Sequence, residues 1–391
     1  MESSRLTFIT LIIVVAIAGA SQGLTLPLLA ILLEEQGVSS VANGVNAAAL
    51  YIGILLVSPF LEIPLRRLGY RQTIFAGLVL VTISTILIPL FPHLIVWFVL
   101  RMVLGIGDSV LHYASQMWVT AIAPPEKRGR DISLYGLAYG LGFSAGPLGL
   151  NLLPYGVLAP FLTLLATYAV AFGLLVRLPN RFPAESPERK TKENKYLMVF
   201  RLGWLALVPS FLFGYMEASL NGSFPIYALR VGVSVESVSI ILPAFVIGSI
   251  LLQMPLGSLS DRLGRKKVMA WCAVLGGISF ALFPLTDHSV PLMMLSLAVT
   301  GAAVGSFYSL GLAYAADILP ADLVPKAGII AGMNFGLASI VAPGTNGYVL
   351  EYQEPSLMFG IMGGMLGLFA VASLFFRERR ATAVQGETRP E

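Results

Sequence analysis

The 391-residue chain is 56% hydrophobic and only 12% charged, with a mean hydropathy of +0.81 and a formal net charge of +4. An average soluble domain is about 25% charged, so a water-soluble globule of this length is excluded for want of polar surface. The small, unevenly placed charge leaves no nucleic-acid footprint, and the lone Cys272 cannot form an internal disulfide and points to no redox compartment.

The first apolar run, Leu6 to Leu33, exceeds the roughly 7–15 residues of a signal h-region and reaches the roughly 20 needed to cross a bilayer. It is read as the first span. Eleven more follow, placing twelve spans near 6–33, 41–65, 73–91, 94–122, 131–153, 160–177, 201–229, 237–259, 268–285, 290–319, 327–350 and 356–376. They are rich in Leu, Gly and Ala and lack polar alternation, which argues for helices over a β-barrel. The 39 glycines and 24 prolines fit membrane helices, where both are better tolerated than in soluble ones.

Lys and Arg set the orientation. With the N-terminus inside, the inner connections hold Arg66, Arg67, Arg71, Lys127, Arg128, Arg130, Arg262, Arg265, Lys266, Lys267 and Lys326. The central loop adds Arg181, Arg189, Lys190, Lys192 and Lys195, and the tail adds Arg377, Arg379, Arg380 and Arg389. The outer side keeps Arg230 alone, among Glu34, Glu35, Glu236, Asp287, Glu351 and Glu354. Both termini are therefore expected in the cytoplasm, in a multi-pass protein of the plasma membrane.

The longest polar stretch, near Leu178 to Tyr196, is rich in Pro and charge and reads as a linker. It divides the chain into six-helix bundles at 1–177 and 201–376, with a linker at 178–200 and a tail at 377–391. A repeat supports the division. Arg67-Leu68-Gly69 recurs 195 residues on as Arg262-Leu263-Gly264; Gly105 recurs 196 on as Gly301, and Gly136, Gly140 and Pro147 as Gly332, Gly336 and Pro343. Parallel repeats with a site near the midplane are a transporter plan.

The turn Gly257-Ser-Leu-Ser-Asp261-Arg262-Leu-Gly264-Arg265-Lys266 resembles the G-x-x-x-D-R-x-G-R-[KR] signature of the major facilitator superfamily, found there between spans two and three and again between eight and nine. The first copy departs from it: around Arg67 and Gly69, Arg66 stands where the acid belongs and Glu62 where the first glycine belongs. Arg101-x-x-x-Gly105-x-Gly107 resembles the family's fourth-helix motif, whose arginine is implicated in proton transfer. Gly142-x-x-x-Gly146-Pro147-x-Gly149 is similar to its antiporter motif, except that Leu150 replaces a glycine. The resemblance implies an all-α fold of twelve helices in two pseudo-repeats. It also implies alternating access around a cavity lined by spans one, four, seven and ten, in the manner of the drug:proton antiporter branch. The partners implied are a small-molecule substrate, protons and the bilayer, with the protein a monomer.

Several polar residues lie inside apolar runs, where ionisable groups are costly and serve a pathway or a site. Arg101, Asp108 and His112 fall on one helical stripe expected to face the cavity. Glu217 lies mid-span in helix seven with no basic neighbour in sequence, and Asn221 lies one turn on. Glu217 reads as a coupling acid, or as a partner of Arg101. Gln22 and Gln116, with Asn46 and Asn334, are pore-lining candidates, although such residues more often make interhelical hydrogen bonds. Asp317 is expected to cap or pair at the inner interface. No nucleotide-binding, H-E-x-x-H or Cys/His metal motif is present, so no cofactor is expected, and an ion or substrate gradient must supply the energy.

The resulting expectation is proton-coupled export of small amphipathic or apolar compounds. Uptake by symport, lipid translocation and a non-transporting receptor or scaffold are the alternatives. An intramembrane enzyme is disfavoured, since no nucleophile or metal dyad is visible.

Overall fold

The computed structural model describes residues 2–184, 196–287 and 289–376, with the side chains of residues 2–4 not described. Expectations resting on the tail, and on Arg189, Lys190, Lys192 and Lys195, lie outside the described residues.

Among the described residues all regular structure is helical. Span 1 is Glu2–Glu35, span 2 begins as Ser40–Val57, span 3 is Tyr70–Leu90 and span 4 is Leu94–Ile122. Span 5 is Arg128–Ala145 and span 6 is Leu158–Val176. Span 7 is Tyr196–Gly222, span 8 Val235–Leu263 and span 9 Arg265–Leu282. Span 10 opens with Val290–Val304, span 11 is Val324–Tyr352 and span 12 is Leu357–Phe375.

Three expected spans begin or end elsewhere for local reasons, and span 10 is interrupted within its expected bounds. Span 2 ends at Val57 rather than 65, because Pro59 and Pro64 break the chain into a short 3-10 turn and the helix Glu62–Leu68. Span 5 is α-helical only to Ala145, and Gly146–Tyr155 tightens into a 3-10 stretch carrying Pro147 and Pro154. Its charged first turn and tight ending leave it outside the eleven segments that are long and apolar enough to cross a membrane on their own. Span 7 starts at Tyr196, inside the expected linker, and continues past Gly222 as Phe224–Arg230, where Pro225 takes a first-turn position. Span 10 resumes as Phe307–Ile318 after a break at Gly305 and Ser306.

Glycine explains how the spans touch, and it does so twice over. A Cβ on Gly53 would lie 2.2 Å from the Met102 carbonyl oxygen, and one on Gly105 would lie 2.1 Å from that of Leu50, so spans 2 and 4 meet backbone to backbone. About 195 residues on, Gly248 meets Ala298 at 2.0 Å and Gly301 meets Phe245 at 1.9 Å, joining spans 8 and 10 the same way. Gly19 against Tyr139 (2.4 Å) in spans 1 and 5 is matched by Gly214 against Phe335 (2.6 Å) in spans 7 and 11. The turns repeat too. Gly69 (φ 80°) and Gly264 (φ 94°) end helices in the left-handed region that glycine adopts without strain. The repeat read from the sequence is thus a repeat of packing.

Spans 2 and 11 cross between the halves, as do spans 5 and 8. The end of the molecule carrying Glu2, Tyr196 and Phe376 is called the terminal end here, and the other the distal end. At the distal end the halves are shut: Gly44 would strike the Pro343 oxygen at 2.0 Å and Gly347 that of Ser40 at 2.4 Å. Toward the terminal end they part. A Cβ on Gly140 would meet only the Ile250 side-chain tip at 3.6 Å, one on Gly336 only that of Leu55 at 3.7 Å, and Gly129, Gly136 and Gly328 face open space.

Gly105→Val and Gly301→Val are expected to lower the thermal unfolding midpoint to similar extents, each costing about 1–3 kcal/mol from overpacking. Gly136→Ala, which meets nothing and replaces a helix-interior glycine, should leave the midpoint unlowered or slightly raised. Thermal unfolding of the purified protein in detergent measures all three.

Candidate functional site

Span 4 carries the stripe Arg101, Gly105, Asp108 and His112, and the structure divides its duties. Gly105 lets span 4 settle on span 2. Beside that contact the Arg101 guanidinium is only 1% exposed, and its two terminal nitrogens make no hydrogen bond among the described residues. The Tyr51 hydroxyl of span 2 is buried and equally without a hydrogen bond, and it lies in electrostatic range of both Arg101 and Glu217. Two unpartnered buried donors within electrostatic range of each other are unusual, because each forfeits its hydration.

Asp108 turns into the N-terminal half rather than toward the interface with the other half. It lines a cavity of about 10 Å³ with residues of spans 1, 3 and 6. His112 faces span 5. The Tyr135 hydroxyl sits 3.0 Å from His112 Nδ1 and donates to the His112 carbonyl at 3.2 Å, and the Tyr139 ring stands edge-on to the imidazole at 4.6 Å. Tyr139 in turn donates to Gln22 Oε1 of span 1. Asp108 and His112 stand one turn apart on span 4, near enough to meet, yet they form no hydrogen bond or ion pair with each other. Gln116, one turn further, is exposed.

Glu217 in span 7 is half-buried and makes no side-chain hydrogen bond or ion pair among the described residues. It is therefore not the paired partner of Arg101 in this conformation. The reason lies in the repeat. Glu217 stands 195 residues after Gln22, and Phe335 stands 196 after Tyr139. Gln22 has a tyrosine hydroxyl to hold, whereas the corresponding position opposite Glu217 is a phenylalanine. Asn221 donates to the Glu217 carbonyl at 2.8 Å, a local bond within span 7 that does not reach the carboxylate. Asn46 donates to the Leu94 carbonyl at 3.0 Å and Asn334 to that of Leu207 at 3.2 Å, so both tie helices together.

The signature turn is a charge cluster at the terminal end. Arg265 pairs with Asp261 at 2.8 Å and with Asp317 of span 10 at 2.6 Å, and it reaches Ser260 at 3.3 Å. Asp317 thus pairs as expected from its position. Arg262 is exposed, and Gly257 approaches nothing closely. In the first copy Glu62 pairs with Arg66 at 2.6 Å, while Arg67 is exposed. Arg71 donates to the Leu178 carbonyl at 2.9 Å, so this copy binds the chain leaving span 6 instead of a neighbouring span. Gly142 and Gly146 bring span 5 onto span 1, where a Cβ would meet the Ala16 oxygen at 2.0 Å and the Ala20 oxygen at 2.6 Å; Pro147 starts the 3-10 stretch that follows.

Sequence reasoning missed the distal closure. Arg230, at the end of the span 7 extension, donates to Glu34 of span 1 at 2.9 Å, to Ser40 of span 2 at 2.6 Å and to the Leu350 carbonyl of span 11. The Ser40 amide donates to Glu351 at 2.7 Å. Asn151 adds a bond to Ser239 at 2.9 Å between spans 5 and 8. The one signal for it was Arg230 itself, a single cation on a side populated by acids.

The family model described as Major Facilitator Superfamily matches residues 11–234 and again residues 206–391. The chain is 40% identical to the uncharacterized MFS-type transporter YfkF of Bacillus subtilis (strain 168) over 362 residues, 91% of this chain and 92% of that protein. It is 20% identical over 352 residues to the uncharacterized MFS-type transporter YcaD of Escherichia fergusonii, covering 87% of each. Among solved structures, the nucleoside transporter NupG superposes with a TM-score of 0.77 at 15% identity, covering 96% of this chain and 100% of that one. A bacterial homologue of the human lysosomal transporter Spinster, described as inward-facing and unoccupied, superposes at 0.69 with 12% identity, covering 95% and 94%. At such identities these structures speak for the fold alone.

Removing the Arg230 guanidinium should loosen the distal closure. With a cysteine at Ala47, buried beside Gly222, Arg230→Ala is expected to raise its reaction rate with a membrane-impermeant thiol reagent from the distal side about tenfold, as a shift of about 1.4 kcal/mol would give. Rates in vesicles of defined orientation measure this.

Proposed function

The chain belongs to the major facilitator superfamily and is therefore a multi-pass membrane transporter, not an enzyme; from that premise we propose that it exports small amphipathic or apolar compounds in exchange for protons. Its relatives named above are bacterial, which puts it in the plasma membrane. In this reading both termini are cytoplasmic, the distal end faces outward, and a monomer suffices. Spans 1–6 rock against spans 7–12 about a site near the midplane.

One observation carries the proposal: Glu217, a half-buried carboxyl at the interface of the halves, has no partner among the described residues, while Arg101 across the interface is buried with its guanidinium nitrogens unbonded. A carboxyl that alternates between wet and dry surroundings alternates between charged and neutral forms, because an unpaired charge in a dry site is costly. In the conformation described here the terminal end is parted, and in this reading Glu217 exchanges its proton with that side. When the halves rock, Arg101 becomes the counter-charge for deprotonated Glu217, or substrate displaces the proton. Tyr51, in electrostatic range of both, stands where a proton or a hydrogen bond would pass. A ligand acts by favouring one of the two states, and only to the extent that it binds them differently.

The aromatic side chains of the interface suit apolar or amphipathic cargo. Tyr308 and Phe213 flank Phe335 with ring centroids 6.0 and 6.2 Å away, and Tyr139 lies 5.9 Å from Phe143. The span 4 motif at Arg101 and the span 5 motif at Gly142 and Gly146 support the antiport reading by their resemblance to the antiporter branch.

In vesicles holding an imposed pH gradient, with candidate compounds screened for gradient-driven flux, Glu217→Gln and Arg101→Ala are each expected to reduce coupled flux at least about a hundredfold, comparable to about 2.7 kcal/mol of lost coupling. If both variants keep normal flux, the coupling assignment fails. Gradient-driven accumulation from the outside of right-side-out vesicles would instead establish uptake.

A further inference from the structure

A small cavity lies inside the N-terminal half and is lined by residues of spans 1, 3, 4 and 6, without Glu217. It measures about 10 Å³, space for a single water-sized particle. Its wall gathers Ser21 and Gln22 of span 1, Asp108 of span 4 and Tyr168 of span 6 among apolar side chains. Asp108 is only 8% exposed. It makes no hydrogen bond or ion pair among the described residues.

The other oxygens are already held in place. Ser21 Oγ and the Tyr168 hydroxyl are hydrogen-bonded to each other, with Thr85 Oγ1 a further 3.4 Å from Tyr168. Gln22 Oε1 accepts from Tyr139. The tyrosines in electrostatic range of Asp108 are Tyr135, Tyr139 and Tyr168, and His112 follows one turn on. None of these tyrosines brings a positive charge, and Arg101 is two helical turns away, about 10 Å along the axis.

A carboxylate in a dry wall needs a positive charge nearby. We propose that this cage binds one sodium ion, held by the Asp108 carboxylate together with the oxygens of Ser21, Gln22 and Tyr168. Hard carboxylate, hydroxyl and amide oxygens select a hard cation over a soft one. A single carboxylate balances one charge, whereas a divalent ion would leave a net charge in a low-dielectric interior. The size of the cage excludes organic cations, and the Coulomb attraction of a carboxylate, which grows as the ion shrinks, favours sodium over potassium. The cage is confined to one half: Met216, Val304 and Gly364 stand at the repeat positions of Ser21, Asp108 and Tyr168. Sodium there would join spans 1, 4 and 6 and tune how the N-terminal half moves as one body.

The test uses the full chain purified in detergent, with thermal unfolding followed in choline chloride as NaCl replaces it at constant ionic strength, and KCl in a parallel series. The unfolding midpoint should rise and saturate with sodium, and potassium should need at least roughly tenfold more. Asp108→Asn should abolish the response, and Ser21→Ala and Tyr168→Phe should each raise the half-saturating sodium concentration severalfold. Equal midpoints in the three salts would overturn the proposal, leaving a water in the cage beside a neutral Asp108. So would a sodium response that survives in Asp108→Asn. If that variant does not fold, unchanged half-saturation in both Ser21→Ala and Tyr168→Phe overturns it. The readout involves no transport, so its failure is distinct from a failure of exchange at Glu217.

Discussion

Backbone contact through glycine is the interaction on which this structure depends. Between helices in lipid there is little hydrophobic drive, because the surrounding chains are as apolar as the side chains they would replace. Close approach must supply the cohesion. Here it is supplied at matched points in both halves, Gly53 and Gly105 in one and Gly248 and Gly301 in the other. The same device closes the distal end at Gly44 and Gly347, where the partners belong to opposite halves. Within a half such contacts make a stiff bundle. Across the halves they are concentrated at one end, and this distribution lets two stiff bodies part at the other.

Against that regular frame, the unpartnered polar groups are found where the repeat is broken. Gln22 has a hydroxyl partner in Tyr139, whereas its counterpart Glu217 faces the position of Phe335 and has none. Arg101, Asp108 and His112 have Leu297, Val304 and Tyr308 at the corresponding places in the second half. One half therefore contributes a buried cation and an enclosed acid, and the other contributes an acid at the interface. Groups left unsatisfied in a chain that satisfies most of its polar atoms are those most free to take a proton, an ion or a substrate. The Arg230 cluster is the complement: it spans the halves and favours the closed distal end.

Much of this was legible in the sequence. Apolar runs long enough to cross a bilayer located the spans, and the recurrence of Gly105 as Gly301 announced a packing repeat. Asp317 was placed at an interface and pairs there with Arg265. Other features were not legible, because periodicity says which side chains share a face but not what that face meets. The span 4 stripe is real, yet it is apportioned among span 2, an internal cavity and span 5. The ending of span 5 as a 3-10 stretch depends on how Gly146 and Pro147 sit against span 1. The partners of Arg230 come from three spans distant in sequence. No local pattern could have assembled them.

If the two halves exchange which end is closed, and the proton on Glu217 biases that exchange, the spacing of the terminal end must follow pH. The most direct measurement is the distance between spin labels at residues 129 and 329, on opposite halves at the terminal end, recorded by pulsed electron resonance across a range of pH. Two distance populations are expected, their ratio changing with pH in the wild-type background and independent of pH in Glu217→Gln. A single, pH-independent distance in both proteins would contradict the exchange.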